Sequence, residues 1–385
     1  MTSPRPSLFD VDNHFYEKSD AWTRYLDPAF RDTVVDFDFH LTGGGQTFDP
    51  VPGKEHWVVR PGSLKERLKK MKSGDPDERA DLIMPPMDAF SDRDARVALM
   101  DEQSIAGCIM FSSGVSVEHK FHSAPALYAH FRALNRWIEE EWGYAYQDRI
   151  FAVAMLSLRD LPMAVEELER VIACGARVIN LRPGHAYGRS PGDPYFDPFW
   201  ARVSDASLGV TFHQGEGGLN AAVAGLWGYD PDPPAVEQSA WQWFNTYGNA
   251  PIMSVLSALI YDNLFGRFPN IRVASIENGA GWLPYFMSLI DKMRGMGRNG
   301  PWNGGQLPER PTAIARRHLI VAPYPEDDVA DIVEQVGHEM LAMGSDFPHA
   351  EGMATPTEFA RLVEHLDADQ QRWILHDNGR RLVAR

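Results

Sequence analysis

Short apolar runs rich in β-branched residues recur along the chain with amphipathic stretches between them. This is the pattern of successive strand and helix units around a parallel sheet. The runs fall at residues 8–12, 105–111, 150–156, 177–181, 208–213, 271–276, 318–322 and 340–345. Helical periodicity occupies 126–142, 161–173, 253–268, 283–294 and 327–336, and the tail at 358–382 adds two more helices. Eight strands close a barrel, so the pattern predicts an α/β fold of the (β/α)8 TIM-barrel type, with residues 1–385 as a single domain. Two long intervals, about 15–94 and about 214–251, interrupt the spacing and are expected to form insertions covering the C-terminal mouth.

Reactive groups of such a barrel gather at the C-terminal ends of its strands, so the residues that end the apolar runs carry the argument. The first run continues F-D-V-D-N-H-F-Y-E, where Asp12 and His14 are two apart and point to the same side of an extended chain. L-G-V-T-F-H ends on His213, V-A-S-I-E on Glu277, and M-L-A-M-G-S-D-F-P-H on Asp346. A lone His at a strand end is ordinarily a hydrogen-bonded core residue. Four strand ends bearing ligand-type side chains argue instead for a metal centre at the mouth. Imidazole and carboxylate ligands without sulfur suit Zn, Fe or Mn, and a carboxylate-rich set can hold two ions. Glu17, three residues beyond His14, is a further candidate ligand. His349, three beyond Asp346, is a ligand, a proton shuttle or a partner that orients a ligand. Arg182 ends the fourth run and either faces a substrate carbonyl or carboxylate, or pairs with a ligand carboxylate.

The insertions add candidate substrate contacts. The first carries Gly43, Gly44 and Gly45 and a basic helix-like stretch with Lys65, Arg67, Lys69, Lys70 and Lys72, either a solvated helix face or a receptor for substrate phosphates. The second carries Trp227, Tyr229, Trp241, Trp243, Phe244 and Tyr247, an apolar surface suited to a substrate pocket wall or the interface of a homo-oligomer.

Composition narrows the classes. A hydrophobic fraction of 44% in 385 residues is ample for a large core. The net charge of -16 argues against nucleic acid, whose phosphates call for a basic field. Cys108 and Cys174 are the only cysteines, so neither a disulfide framework nor a thiolate metal site is expected. The opening M-T-S-P-R-P-S leads into a strand with no apolar leader, and no run of 18 apolar residues occurs, so a cytoplasmic protein without membrane segments is expected.

At Asp12, His14, His213 and the G-S-D-F-P-H segment 344–349, the sequence resembles the amidohydrolase 2 group, the metal-dependent barrels related to aminocarboxymuconate-semialdehyde decarboxylase and γ-resorcylate decarboxylase. The likeness covers nearly the whole chain. Glu277 departs from it, standing where the decarboxylases carry a His that acts on the substrate. With Glu277 and D-x-D-N-H-x-x-E at the start, the chain is similar to the branch that includes the nonheme diiron monooxygenase of platensimycin and platencin biosynthesis. That likeness implies two Fe ions, dioxygen, an external electron donor and a hydrophobic, diterpenoid-like acyl substrate linked to CoA. The aromatic insertion would then bind the acyl group and the basic stretch the CoA phosphates. The same ligands also serve a hydrolase of an ester, lactone or amide, or a nonoxidative decarboxylase.

Overall fold

The computed structural model describes residues 7–33, 57–71, 82–215, 217–231, 233 and 237–385. Gly43, Gly44, Gly45, Lys72, the first six residues and the side chains of Arg67 and Tyr247 lie outside the described residues.

The staves of the barrel are β1 (Leu8–His14), β2 (Ile105–Phe111), β3 (Ile150–Ala152), β4 (Ala154–Met155), β5 (Val178–Asn180), β6 (Gly209–His213), β7 (Arg272–Ile276) and β8 (Leu319–Val321). Only Val153 separates β3 from β4, so the two make one stave, and its amide bonds back to Met110 of β2. Pairing is parallel throughout: β1 with β2, β2 with β3, then β4 through β8 in chain order. The expected strand at 340–345 is replaced by an irregular segment, 341–347. It closes the ring through isolated parallel bridges, Val321 to Leu341 on one side and Asn13 to Phe347 on the other. The chain is therefore a TIM barrel.

Buried staves read as apolar runs because both faces are covered. In β2, Cys108 to Phe111 are all fully buried. The helix Leu161–Ala173 shows the local logic of the outer ring. Asp160 accepts from the Met163 amide at its start, Ala164, Leu168 and Val171 face inward, and Gly175 ends it at φ +94°. The helix expected at 253–268 breaks into Ala250–Tyr261 and Leu264–Arg267, because Asn263 takes a left-handed conformation (φ 53°). The tail is also finer than two helices, comprising 3-10, α and π segments between Pro356 and Arg380. No described helix is long and apolar enough to cross a membrane. Cys108 is buried and Cys174 exposed, both unpaired with any disulfide partner.

Candidate metal centre

β1 ends on alternating polar residues, so Asp10, Asp12 and His14 share one face, and all three are buried. Gly344 lets segment 341–347 approach that face: a Cβ there would sit 2.9 Å from the Asp12 Cβ. His213 ends β6, Glu277 follows β7, and Asp346 lies on the irregular segment. Glu277 and Asp346 both have φ of 54°, a left-handed conformation costly for residues with a side chain and concentrated at functional sites.

These elements converge. The His14 Nε2 lies 3.4 Å from Asp12 Oδ1, 3.3 Å from Asp346 Oδ1 and 3.3 Å from His213 Nε2. The His213 Nε2 lies 3.6 Å from Asp12 Oδ1 and 3.5 Å from Glu277 Oε2. Donor atoms sharing one ion at the usual bond lengths stand about 3.0–3.5 Å from one another, so this spacing fits a common cation. The His213 Nδ1 faces the Gln214 carbonyl oxygen at 3.0 Å; that oxygen only accepts, so Nδ1 carries the proton and Nε2 offers its lone pair to the cluster. Asp12 Oδ1, at the centre, is buried without a hydrogen-bond partner. An orphaned buried carboxylate oxygen facing imidazole lone pairs suits a divalent cation.

Three overlapping groups hold donor atoms within 4.8 Å of one another: Asp12, His14 and His213; His14, Asp346 and His349; and Glu277, Asp346 and Glu351. His349 places Nδ1 2.7 Å from Asp346 Oδ1 and its ring 4.0 Å from that of His14. Glu17 is not brought into these groups. Its two carboxylate oxygens accept from the Ser113 amide and hydroxyl, both at 2.8 Å, which turns it toward the end of β2. Arg182 pairs with no ligand carboxylate; it is half-buried, donates to the His185 carbonyl, and stacks over Tyr187 with Cζ 4.8 Å from the ring centroid.

The insertion residues face water. Lys65 is 85% exposed and pairs with Glu326, Lys69 is exposed, and Lys70 pairs with Glu66. Trp227 is 69% exposed and packs on Trp241, which in turn stacks on Tyr229; Trp243 and Phe244 are also exposed.

Burial raises the Asp12 carboxyl, but the His14 and His213 imidazoles beside it outweigh burial and hold Asp12 well below the usual range. Burial and the Asp346 charge push Glu277 well above it, and burial and the Asp12 charge do the same to Asp346. His14 is depressed by burial and by His349. Without a cation, burial and like charge thus favour the protonated forms of Glu277 and Asp346.

Asp10, Glu351, Tyr324 and Arg96 join the site without having been singled out in the sequence. Asp10 was legible as the third member of the D-x-D-x-H alternation. Glu351 was legible only as the next acid after Asp346. Tyr324, whose hydroxyl donates to the Glu277 carbonyl at 2.6 Å, carried no signal, nor did Arg96.

A family model described as amidohydrolase matches residues 35–385. The chain is similar to the solved structure of an amidohydrolase from Mycobacterium avium subsp. paratuberculosis K-10, with 30% identity, coverage of 100% of this chain and 99% of that one, and a TM-score of 0.82. It shares the fold of 5-carboxyvanillate decarboxylase from Sphingomonas paucimobilis, at 17% identity, coverage of 98% of each chain and TM-score 0.62. The same holds for dihydroxybenzoic acid decarboxylase from Polaromonas sp. JS666, solved with manganese and the inhibitor 2-nitroresorcinol, at 17% identity, coverage of 98% and 97%, and TM-score 0.63. Among curated proteins no relative matches the chain.

Proposed function

The chain belongs to the amidohydrolase family, and from that premise we propose that it is a metal-dependent, non-redox enzyme that removes a carboxylate group from a small anionic substrate as CO2. The observation that carries this reading is the close packing of Asp12, His14, His213 and Asp346 beside Glu277, whose carboxyl burial and the Asp346 charge push well above the usual range. A divalent cation held by those four residues supplies Lewis-acid polarisation of a substrate oxygen.

The remaining chemistry belongs to the chain. The bond from the substrate carbon to its carboxylate breaks and the electron pair stays on that carbon. Glu277 donates its proton to that carbon, CO2 departs, and solvent reprotonates Glu277. A carboxyl pushed up by burial would here take the part that a His takes in the decarboxylases that the sequence resembles. His349 orients Asp346 through its 2.7 Å contact. Arg182, a half-buried cation with no ion-pair partner among the described residues, suits a second anionic group of the substrate. The decarboxylase activities and bound manganese of the fold neighbours support the reading.

The test is CO2 release from a panel of hydroxylated benzoates and carboxyvanillates with Mn2+ supplied. Turnover abolished by chelation supports the proposal. Turnover confined to esters, lactones or amides would replace it with hydrolysis by the same centre.

A second reading rests on the carboxylate-rich group of Glu277, Asp346 and Glu351 beside the histidine-rich one. Such a group suits a second ion, and with iron the reading becomes a diiron monooxygenase using dioxygen, an external electron donor and a hydrophobic, CoA-linked acyl substrate. About two irons per chain by elemental analysis, with a ferric absorption band under air, would favour it; about one manganese or zinc without a band would sink it.

A further inference from the structure

Arg96 is 1% exposed and its guanidinium makes no ion pair among the described residues. Burying that charge is costly unless the planar fork finds acceptors. The acceptors it finds are the parts that carry the metal centre. Its Nε donates to the Ala89 carbonyl at 2.6 Å, its Nη1 to Asn13 Oδ1 at 2.5 Å, and its Nη2 to the carbonyl of His14 at 2.8 Å. Its Cζ lies 5.4 Å from the ring centroid of Phe347, the residue after Asp346.

From Asn13 the network continues across the seam of the barrel. Asn13 Nδ2 donates to Asp10 Oδ2 at 2.9 Å. Asp10 Oδ1 accepts from the Asp12 amide at 3.1 Å and the Ser345 amide at 3.0 Å, and its Oδ2 accepts from the Ser345 hydroxyl at 2.5 Å. The end of β1, which bears Asp12 and His14, and the segment that bears Asp346 are thus tied to one guanidinium. This seam has no regular strand on one side, where the ladder is reduced to bridges.

We propose that Arg96 is a positioning residue of the metal centre, which through Asn13, Asp10 and Ser345 sets the separation of Asp12 and His14 from Asp346. The inference rests on the metal reading above. Lys cannot replace the fork, because a single ammonium cannot hold three acceptors in one plane.

The experiment is Mn2+ titration of the full chain, with the electron paramagnetic resonance spectrum of the bound ion, for wild type, R96K and R170K. Arg170 sits in the buried Glu167 network on the outer ring, so R170K controls for loss of stability alone. R96K is expected to weaken Mn2+ binding at least about 10-fold, within the 10- to 100-fold range for partners that orient ligands, and to alter the spectrum. R170K is expected to lower Tm while leaving affinity and spectrum unchanged. Should R96K fail to fold, Ser345→Ala, which removes the hydroxyl that donates to Asp10 and accepts from the Phe347 amide, carries the test with a weakening of about 3-fold or more. Wild-type affinity and spectrum in whichever of these variants folds would overturn the proposal. A wild-type chain that binds no Mn2+ would overturn the metal reading and this inference with it.

Discussion

The centre has two halves that differ in burial and in the state of their carboxyls. The inner half, Asp12, His14 and His213, sits at regular strand ends, is buried throughout, and holds its carboxylate ionised by imidazoles on either side. The outer half, Glu277, Asp346 and Glu351, sits on turns, two of them in left-handed backbone, and runs from buried to exposed. There, burial and the crowding of acids push the Glu277 and Asp346 carboxyls well above the usual range. The contrast teaches that similar residue types differ by environment: imidazole neighbours hold a carboxyl ionised, and burial among carboxylates favours its protonated form.

The largest expected effect comes from breaking the inner half. His213→Ala should weaken Mn2+ binding by at least about 100-fold, beyond what removal of an orienting partner does. Its metal-free Tm should stay close to that of the wild type; a competition titration with a melting curve checks both. Glu277→Gln sharpens the comparison from the outer side. It keeps the shape and removes the titration, so turnover should fall about 10²- to 10⁴-fold while Mn2+ affinity changes little. A parallel collapse of affinity would make Glu277 a ligand instead.

The pH dependence is next in size. Because burial and the Asp12 charge favour the protonated form of Asp346 in the metal-free state, Mn2+ must displace that proton, and its affinity should rise with pH. Titrations in buffers of different ionisation enthalpy should show proton release. For folding the sign is fixed by the raised values. The native state keeps these protons longer than the unfolded chain, whose carboxyls titrate near about 4, so metal-free stability should fall as pH rises above that point. A flat profile of Tm against pH would contradict the raised carboxyls. The smallest effect is expected for Glu351→Gln, less than about fivefold in affinity, since its side chain is exposed. Loss of one ion of two in that variant would turn the outer half into a second metal site.

Periodicity along the chain carried most of the architecture. Seven of the eight apolar runs contain regular strands, because a stave buried on both faces must be apolar whatever it touches. The eighth, at 340–345, failed as a strand because Gly344, Ser345 and Asp346 serve the site, and a left-handed Asp346 cannot continue a ladder. Glu17 shows the limit of spacing arguments. Three residues past His14 it has the right chemistry, but Ser113, distant in sequence, satisfies both of its oxygens. The aromatic insertion read equally as pocket wall or interface, and only its exposure places Trp227 and Phe244 toward solvent.

By itself the sequence determined the barrel and the residue types at its strand ends, because burial and strand alternation are local consequences of side-chain chemistry. Tertiary structure alone decided which of those groups meet, which carboxyls are pushed up and which held down, and that a buried Arg96 ties two ligand-bearing segments together. Those outcomes depend on distances between residues far apart in the chain, and electrostatic energies at such a site are set by separation and burial rather than by sequence order.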